Sequence, residues 1–291
     1  MNKKYARAFG QDLMRGEHVV GGGMTSRKDA DKNSNLNNAP KKPEWATGTG
    51  TENMAPGTSI FDPVLAELAY IWFCPPSGIV VDPFAGGSVR GIVAATLGRE
   101  YIGVDLRQEQ VEANRDQAKT VCNGVVPVWH TGDSRNIDKI CHGVKADFIF
   151  SCPPYADLEV YSDDPADLST LGYDDFIMAY AEIIKKSVSL LKKDRFACFV
   201  VGEVRDKKGN YYGFVPDTIK AFQDAGASFY NEAILITALG SLPIRVGRQF
   251  NAGRKLGKTH QNVLVFVKGD GKKATKAVGK IEIPNMDEMV E

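Results

Sequence analysis

The chain has few of the side chains that bind metals or cross-link a fold. It holds five cysteines and four histidines, and the cysteines stand singly, without the Cys-x-x-Cys spacing of a zinc motif. Zinc sites and disulfide scaffolds both need clustered or paired cysteines. We therefore expect no metal, no disulfide framework and a protein of the reducing cytoplasm.

Long apolar runs and an excess of one charge are also missing. No stretch approaches the roughly 18 apolar residues of a membrane span, and the start, Met1-Asn2-Lys3-Lys4-Tyr5, lacks the apolar core of a signal peptide. We expect no membrane partner. The 36 basic and 36 acidic residues cancel, so any binding of nucleic acid must depend on a local basic patch.

The best-defined local pattern lies between Ile79 and Gly91. A short β-branched run, Ile79-Val80-Val81-Asp82, leads into a turn with Gly86 and Gly87, and apolar residues at helical spacing follow. Strand, glycine turn and helix form the opening unit of a doubly wound nucleotide-binding sheet. A tight turn that serves only packing is the alternative for this stretch taken alone.

Two later strands end in residues that can bind a ligand or take part in a reaction. The strand at 99–105 ends in Asp105, 23 residues after Asp82, and a carboxylate about 20 residues on is where such folds bind ribose hydroxyls. The strand at 146–151 runs into Pro153-Pro154-Tyr155. Strands and helices alternate up to residue 268 and close with two successive strands, which predicts an α/β, doubly wound sheet of about seven strands.

Asp82-Pro83-Phe84-Ala85-Gly86-Gly87 and the later Cys152-Pro153-Pro154-Tyr155 resemble, in this order, the two signature motifs of the DNA methyltransferases that methylate exocyclic amines. The resemblance implies a Rossmann-like methyltransferase sheet whose last strand is antiparallel. It implies S-adenosylmethionine as cofactor and DNA as partner, with the target base flipped from the duplex or single-stranded. The target is adenine N6 or cytosine N4; the family favours adenine, and no residue here decides.

The resemblance also implies which residues form the site. Those implied to bind the cofactor are Phe61, Asp82, Pro83, Phe84, Gly86, Gly87, Ser88, Asp105, Asp133 and Ser134. Those implied in catalysis are Ser151, Cys152, Pro153, Pro154 and Tyr155. The alternatives are that Phe61 is a core residue and that Asp133 forms an Asx turn.

The chemistry explains why the second motif has this composition. An exocyclic amine is a poor nucleophile because its lone pair is conjugated with the ring. An acceptor on one N–H and a backbone carbonyl on the other orient that lone pair towards the cofactor's methyl group. The prolines make the carbonyl between Pro153 and Pro154 rigid, and Tyr155 offers a flat face on which a flipped base stacks.

Two positions depart from the family pattern. Cys152 stands where the family has Asp, Asn or Ser, and a thiol is a weak acceptor. Ser151, the backbone carbonyls or Asp157 are candidates to replace the missing acceptor. Ser88 stands where the family usually has Gly, and a positive φ there would be costly for serine.

A basic, glycine-rich segment spans residues 238–261 and contains no acid. We predict a flexible recognition loop that contacts DNA phosphates; a merely solvated loop is the alternative. Its candidate DNA-binding residues are Arg245, Arg248, Arg254, Lys255 and Lys258.

Composition divides the chain into three parts. Residues 1–52 are polar and rich in Gly and Asn, and predict a flexible arm that is either solvated or lies on DNA or on the cofactor. Residues 53–268 form the predicted methyltransferase domain, and 269–291 a C-terminal tail. Two other functions stay open: an RNA or protein-glutamine N-methyltransferase, and a non-catalytic nucleic-acid-binding relative.

Overall fold

The computed structural model describes residues 60–155, 164–237 and 242–281, except the side chain of Arg245. The predicted N-terminal arm, the loop carboxylate Asp157 and the end of the chain from residue 282 lie outside the described residues.

The centre of the fold is one seven-stranded sheet in the order β3-β2-β1-β4-β5-β7-β6. The first five strands pair in parallel, and β7 runs antiparallel to both β5 and β6. The predicted α/β sheet with an antiparallel last strand is therefore confirmed. The strands are β1 Ile79–Asp82, β2 Glu100–Asp105, β3 Val128–Thr131, β4 Ala146–Ser151, β5 Leu191–Val201, β6 Ser228–Ile236 and β7 His260–Lys268.

Helices connect the strands. They are α1 Pro63–Phe73, α2 Val89–Thr96, α3 Gln108–Val121, α4 Ile137–Ile140, α5 Tyr173–Leu190, α6 Phe214–Asp224, α7 Leu242–Gly253 and α8 Gly271–Val278, with 3-10 turns at Ser134–Asn136 and Leu168–Thr170. Within the described ranges, no helix combines the length and the hydrophobicity that crossing a membrane requires.

Each face of the sheet carries its own hydrophobic core. Because strand side chains alternate between faces, Val80 and Phe148 pack with α1 and α2, while Val81 and Ile149 pack with α5 and α6. Both faces are covered, which explains why the central strands read as continuous apolar runs.

Two elements differ from the sequence prediction. Part of the segment predicted as a flexible loop forms the helix α7, and part of the predicted tail forms α8. In α8, Ala274 and Val278 are buried against the core, so the chain is still packing beyond residue 268.

Contacts divide the chain into two compact units. The described part of the first comprises residues 61–155, 164–237 and 259–281, and holds the whole sheet. The second contains α7 and residues 254–258.

Candidate functional site

The sequence motifs meet at one edge of the sheet. Asp82, Asp105 and Ser151 are the last residues of the parallel strands β1, β2 and β4. The antiparallel β7 begins at the same edge with His260. The strand order reverses between β1 and β4, and ligands of open α/β sheets bind in the crevice at such a point.

Asp82 is the buried centre of this edge, with no exposed surface. One carboxylate oxygen accepts hydrogen bonds from Arg90 Nε and the Tyr101 hydroxyl, both at 2.7 Å. The other accepts from the Phe84 amide at 3.1 Å and the Ser151 hydroxyl at 2.5 Å. Both oxygens are bonded to protein donors, so Asp82 organises the turn, and its role as a direct cofactor ligand stays a prediction.

Ser151 is likewise a structural member of the edge. Its side chain is completely buried; its hydroxyl donates to Asp82 and accepts from the Phe84 amide at 3.2 Å. The hydroxyl is thus directed into the first motif, and its role as a substitute for the family's acceptor stays a prediction.

The glycine turn leaves room for a ligand. Gly86 has φ +49°, and a Cβ added at Gly86 or Gly87 would meet no atom within 4 Å. Helix α3 holds this turn from behind: Asn114 donates to the Gly86 carbonyl at 2.7 Å, and Ser88 bonds Gln117. Ser88 has φ −71°, so serine causes no strain in place of the family's glycine.

Asp105 lies beside the open turn and is partly exposed. One of its carboxylate oxygens accepts from the Gly86 amide at 2.9 Å, and the other from the Arg107 amide at 3.0 Å. Burial raises the pKa of Asp105, while these two amides act in the opposite direction. Each oxygen keeps a second lone pair, so the carboxylate can still accept from a diol.

Asp133 and Ser134 occupy the turn after β3. Asp133 accepts from the Arg135 amide at 2.8 Å and forms an ion pair of 2.8 Å with the Arg135 guanidinium. This is the Asx turn that stood as the alternative interpretation. The Ser134 hydroxyl donates to the Pro83 carbonyl, which ties this turn to the glycine motif.

The two aromatic candidates lie on opposite faces of the sheet. Phe61 packs edge-on against Phe150 and lies 4.7 Å below the guanidinium of Arg90. Phe84 packs against Tyr180 and Phe199 of the other core. Both rings are partly buried. Each therefore packs against a core and keeps part of its surface exposed.

The second motif forms a short network with β7. The Gln261 amide donates to the Tyr155 hydroxyl, which lies 3.8 Å from the Cys152 thiol. The Tyr155 ring stands edge-on to Phe214, with ring centroids 6.1 Å apart. Pro153 is buried, whereas Pro154 and Tyr155 are partly exposed. The ring that is predicted to receive a base is thus held at its hydroxyl and packs against Phe214.

The basic candidates belong to the second unit. Arg248 lies on α7 and Arg254 just after it, both exposed, and Arg254 stacks over Phe250 at 5.0 Å. Lys255 and Lys258 are partly buried. In the described residues, no group of three His, Cys, Asp or Glu side chains converges as a metal site.

Sequence reasoning missed four residues that build this edge: Arg90, Asn114, Gln117 and Gln261. Arg90 carried a signal, since it is the one charged residue in the otherwise apolar or small helix Val89–Thr96. A buried arginine needs an acid, and Asp82 precedes it by eight residues. The amide residues had no such local signal.

A comparison with protein families matches the part of the chain that holds the glycine turn. The family model described as DNA methylase matches residues 71–116, which contain the glycine turn and Asp105. No curated protein matches this chain in sequence.

Several solved structures share the fold. TrmN from Thermus thermophilus is 16% identical over 72% of this chain and 49% of its own, with a TM-score of 0.47. Magnesium protoporphyrin IX methyltransferase from Synechocystis is 16% identical over 71% of this chain and 79% of its own, with a TM-score of 0.45. A SAM-dependent methyltransferase from Methanosarcina mazei is 11% identical over 72% of this chain and 98% of its own, with a TM-score of 0.48.

The chain thus spans about half the length of the Thermus protein. The family match confirms the resemblance predicted from the sequence over residues 71–116.

Proposed function

We propose that this chain transfers the methyl group of S-adenosylmethionine to the exocyclic amine of adenine (N6) or cytosine (N4) in DNA. One observation carries the proposal: the two motifs of that family end adjacent strands, β1 and β4, and are joined by the Ser151–Asp82 hydrogen bond. The DNA methylase match over residues 71–116 supports the same class of substrate.

The cofactor's binding residues would be those around the glycine turn. The open space at Gly86 and Gly87 lets backbone approach a ligand, and Asp105 would accept from the ribose hydroxyls. Phe61 and Ser134 border the turn through Arg90 and Pro83. When bound there, S-adenosylmethionine supplies the electrophilic methyl group.

The residues of the second motif would orient the target. The carbonyl of Pro153 would accept one amine hydrogen, and the Tyr155 face would stack on the base. Gln261 supports this role, because a tyrosine anchored at its hydroxyl keeps one ring orientation. Cys152, next to that hydroxyl, is the side chain in the position of the family's acceptor.

Nucleoside mass spectrometry tests the proposal directly. Purified protein is incubated with S-adenosylmethionine and genomic DNA, and the digested DNA should contain N6-methyladenine or N4-methylcytosine. Asp105→Ala should abolish the signal at limiting cofactor, whereas Asp116→Ala, which removes an exposed carboxylate on α3, should not.

The same incubation with RNA and with protein separates the alternatives. A methylated RNA base or glutamine, with unmodified DNA, would contradict the DNA assignment. Tight cofactor binding without any methylated product would favour a non-catalytic relative.

A further inference from the structure

A basic hairpin follows β5 at the same edge of the sheet. Residues 205–211 form it: Arg205 and Tyr211 pair as an isolated antiparallel bridge, and the Gly209 amide bonds the Asp206 carbonyl at 2.9 Å. Lys207 and Lys208 are exposed at the tip. None of these residues belongs to the sequence motifs.

The hairpin is braced by its own side chains. The Arg205 guanidinium lies 3.7 Å from the centre of the Tyr211 ring and donates to the Gly209 carbonyl at 2.7 Å. Asp206, its one acid, accepts from the Asn210 amide at 2.8 Å within the turn. Three cations against one inward-bonded carboxylate leave the tip basic, with the two lysines projecting from a fixed backbone.

The residues that flank the hairpin, Gly202 before it and Phe214 after it, lie against the ring of Tyr155. On one side, a Cβ at Gly202 would lie 3.9 Å from the Tyr155 ring. On the other, Phe214 meets that ring edge-on. Glu203 closes the stem, because its carboxylate accepts from the Phe214 and Val215 amides at 3.2 and 3.1 Å.

From this placement we propose that the hairpin 205–211 is a DNA contact, in which Lys207 and Lys208 bind backbone phosphates flanking the base received by Tyr155. The inference rests on the proposed function, since it needs DNA as substrate. A base at Tyr155 brings its neighbouring phosphates to this edge of the sheet, and phosphate contacts fix the register of a bound strand.

The salt dependence of DNA binding tests the contact. Fluorescence anisotropy with a labelled duplex, at several salt concentrations, compares the full chain with Lys207→Ala/Lys208→Ala. Each neutralised phosphate contributes about 0.9 to the slope of log K against log salt, so the slope should fall by up to about 1.8. Calorimetry should show unchanged affinity for S-adenosylmethionine.

The chain offers a matched control. Lys272 and Lys273 are also adjacent and exposed, on α8 at the opposite edge of the sheet. Lys272→Ala/Lys273→Ala should leave the slope unchanged. If the two double variants have equal slopes while the native chain binds and methylates DNA, the hairpin inference is wrong and the proposed function stands. If the native chain does not bind DNA but binds an RNA oligonucleotide, both fall.

Discussion

The hydroxyl of Ser151 lies 2.5 Å from the carboxylate of Asp82, and this contact joins the ends of β4 and β1. The same hydroxyl accepts from the Phe84 amide, so one buried side chain links the two methyltransferase motifs at the point where the strand order reverses. The relative position of the two motif turns therefore depends on this buried contact.

Ser151→Ala should destabilise the protein and weaken cofactor binding. The substitution removes one of two acceptors of the Phe84 amide and one of two donors to an Asp82 oxygen, and each keeps the other as its partner. Loss of a hydrogen bond to a charged group costs about 1.5–3 kcal/mol. Urea denaturation and calorimetry measure the two effects. Ser187→Ala is the control, because this serine is also buried but bonds the Ile183 carbonyl inside α5. It should leave cofactor affinity intact; equal affinity in both variants would exclude a link through the turn.

Asp105 should control cofactor affinity and its pH dependence. Loss of two charge-assisted hydrogen bonds costs about 2–4 kcal/mol, so Asp105→Ala should weaken binding by roughly one to three decades. Burial raises the pKa of this carboxyl, and only its ionised form accepts from both ribose hydroxyls. Native affinity should therefore be full above that raised pKa and fall as the pH drops through it.

Calorimetry across this pH range checks the assignment. In Asp105→Asn the affinity should be lower and lack this pH dependence. A native-like decline with acid in the asparagine variant would assign the titration to another group.

Tyr155 should act through its ring, and Gln261 through the orientation of that ring. Stacking is worth about 1–3 kcal/mol per base, so Tyr155→Ala should lower methyl transfer by roughly one to two decades, with little change in cofactor affinity. Tyr155→Phe should retain most activity. Because the Gln261 amide bonds the hydroxyl, Gln261→Ala should change single-turnover rates no further once Tyr155 is Phe. If the losses of rate in Tyr155→Phe and Gln261→Ala add in the double variant, Gln261 does not act through the Tyr155 hydroxyl. An inactive Tyr155→Phe would make the hydroxyl the essential group.

Cys152→Ser should retain at least native methylation. Serine has a volume similar to cysteine and is a better acceptor, and the site is partly exposed. Cys198→Ser provides the contrast, since this thiol is fully buried among apolar residues of β5 and its replacement by a hydroxyl should lower stability. Single-turnover rates at saturating cofactor decide; an inactive, folded Cys152→Ser would show that the thiol packs and does not accept.

The basic segment should contribute to DNA binding through phosphates. Replacing Arg245, Arg248 and Arg254 by alanine should reduce the salt slope by up to about 2.7, at about 0.9 per phosphate, and leave cofactor affinity unchanged. Anisotropy measurements as described for the hairpin apply. An unchanged slope would show that these arginines of α7 and its flanking residues do not contact DNA phosphates.

The sequence by itself determined the alternation of strands and helices up to the closing pair of strands, and the two motifs. Those features are local: side-chain period, glycine and proline positions, and an acid about 20 residues after the turn.

Only the tertiary structure decided which groups are free to act. Ser151 and Asp82 are 69 residues apart and meet because β1 and β4 pair; no local pattern reports that pairing. The same holds for Gln261, which reaches Tyr155 from the antiparallel β7. The helices α7 and α8 also escaped prediction, because glycine and lysine composition indicates exposure to water rather than backbone conformation. Composition and spacing set what each segment can do, and strand pairing sets which side chains are already bonded to one another.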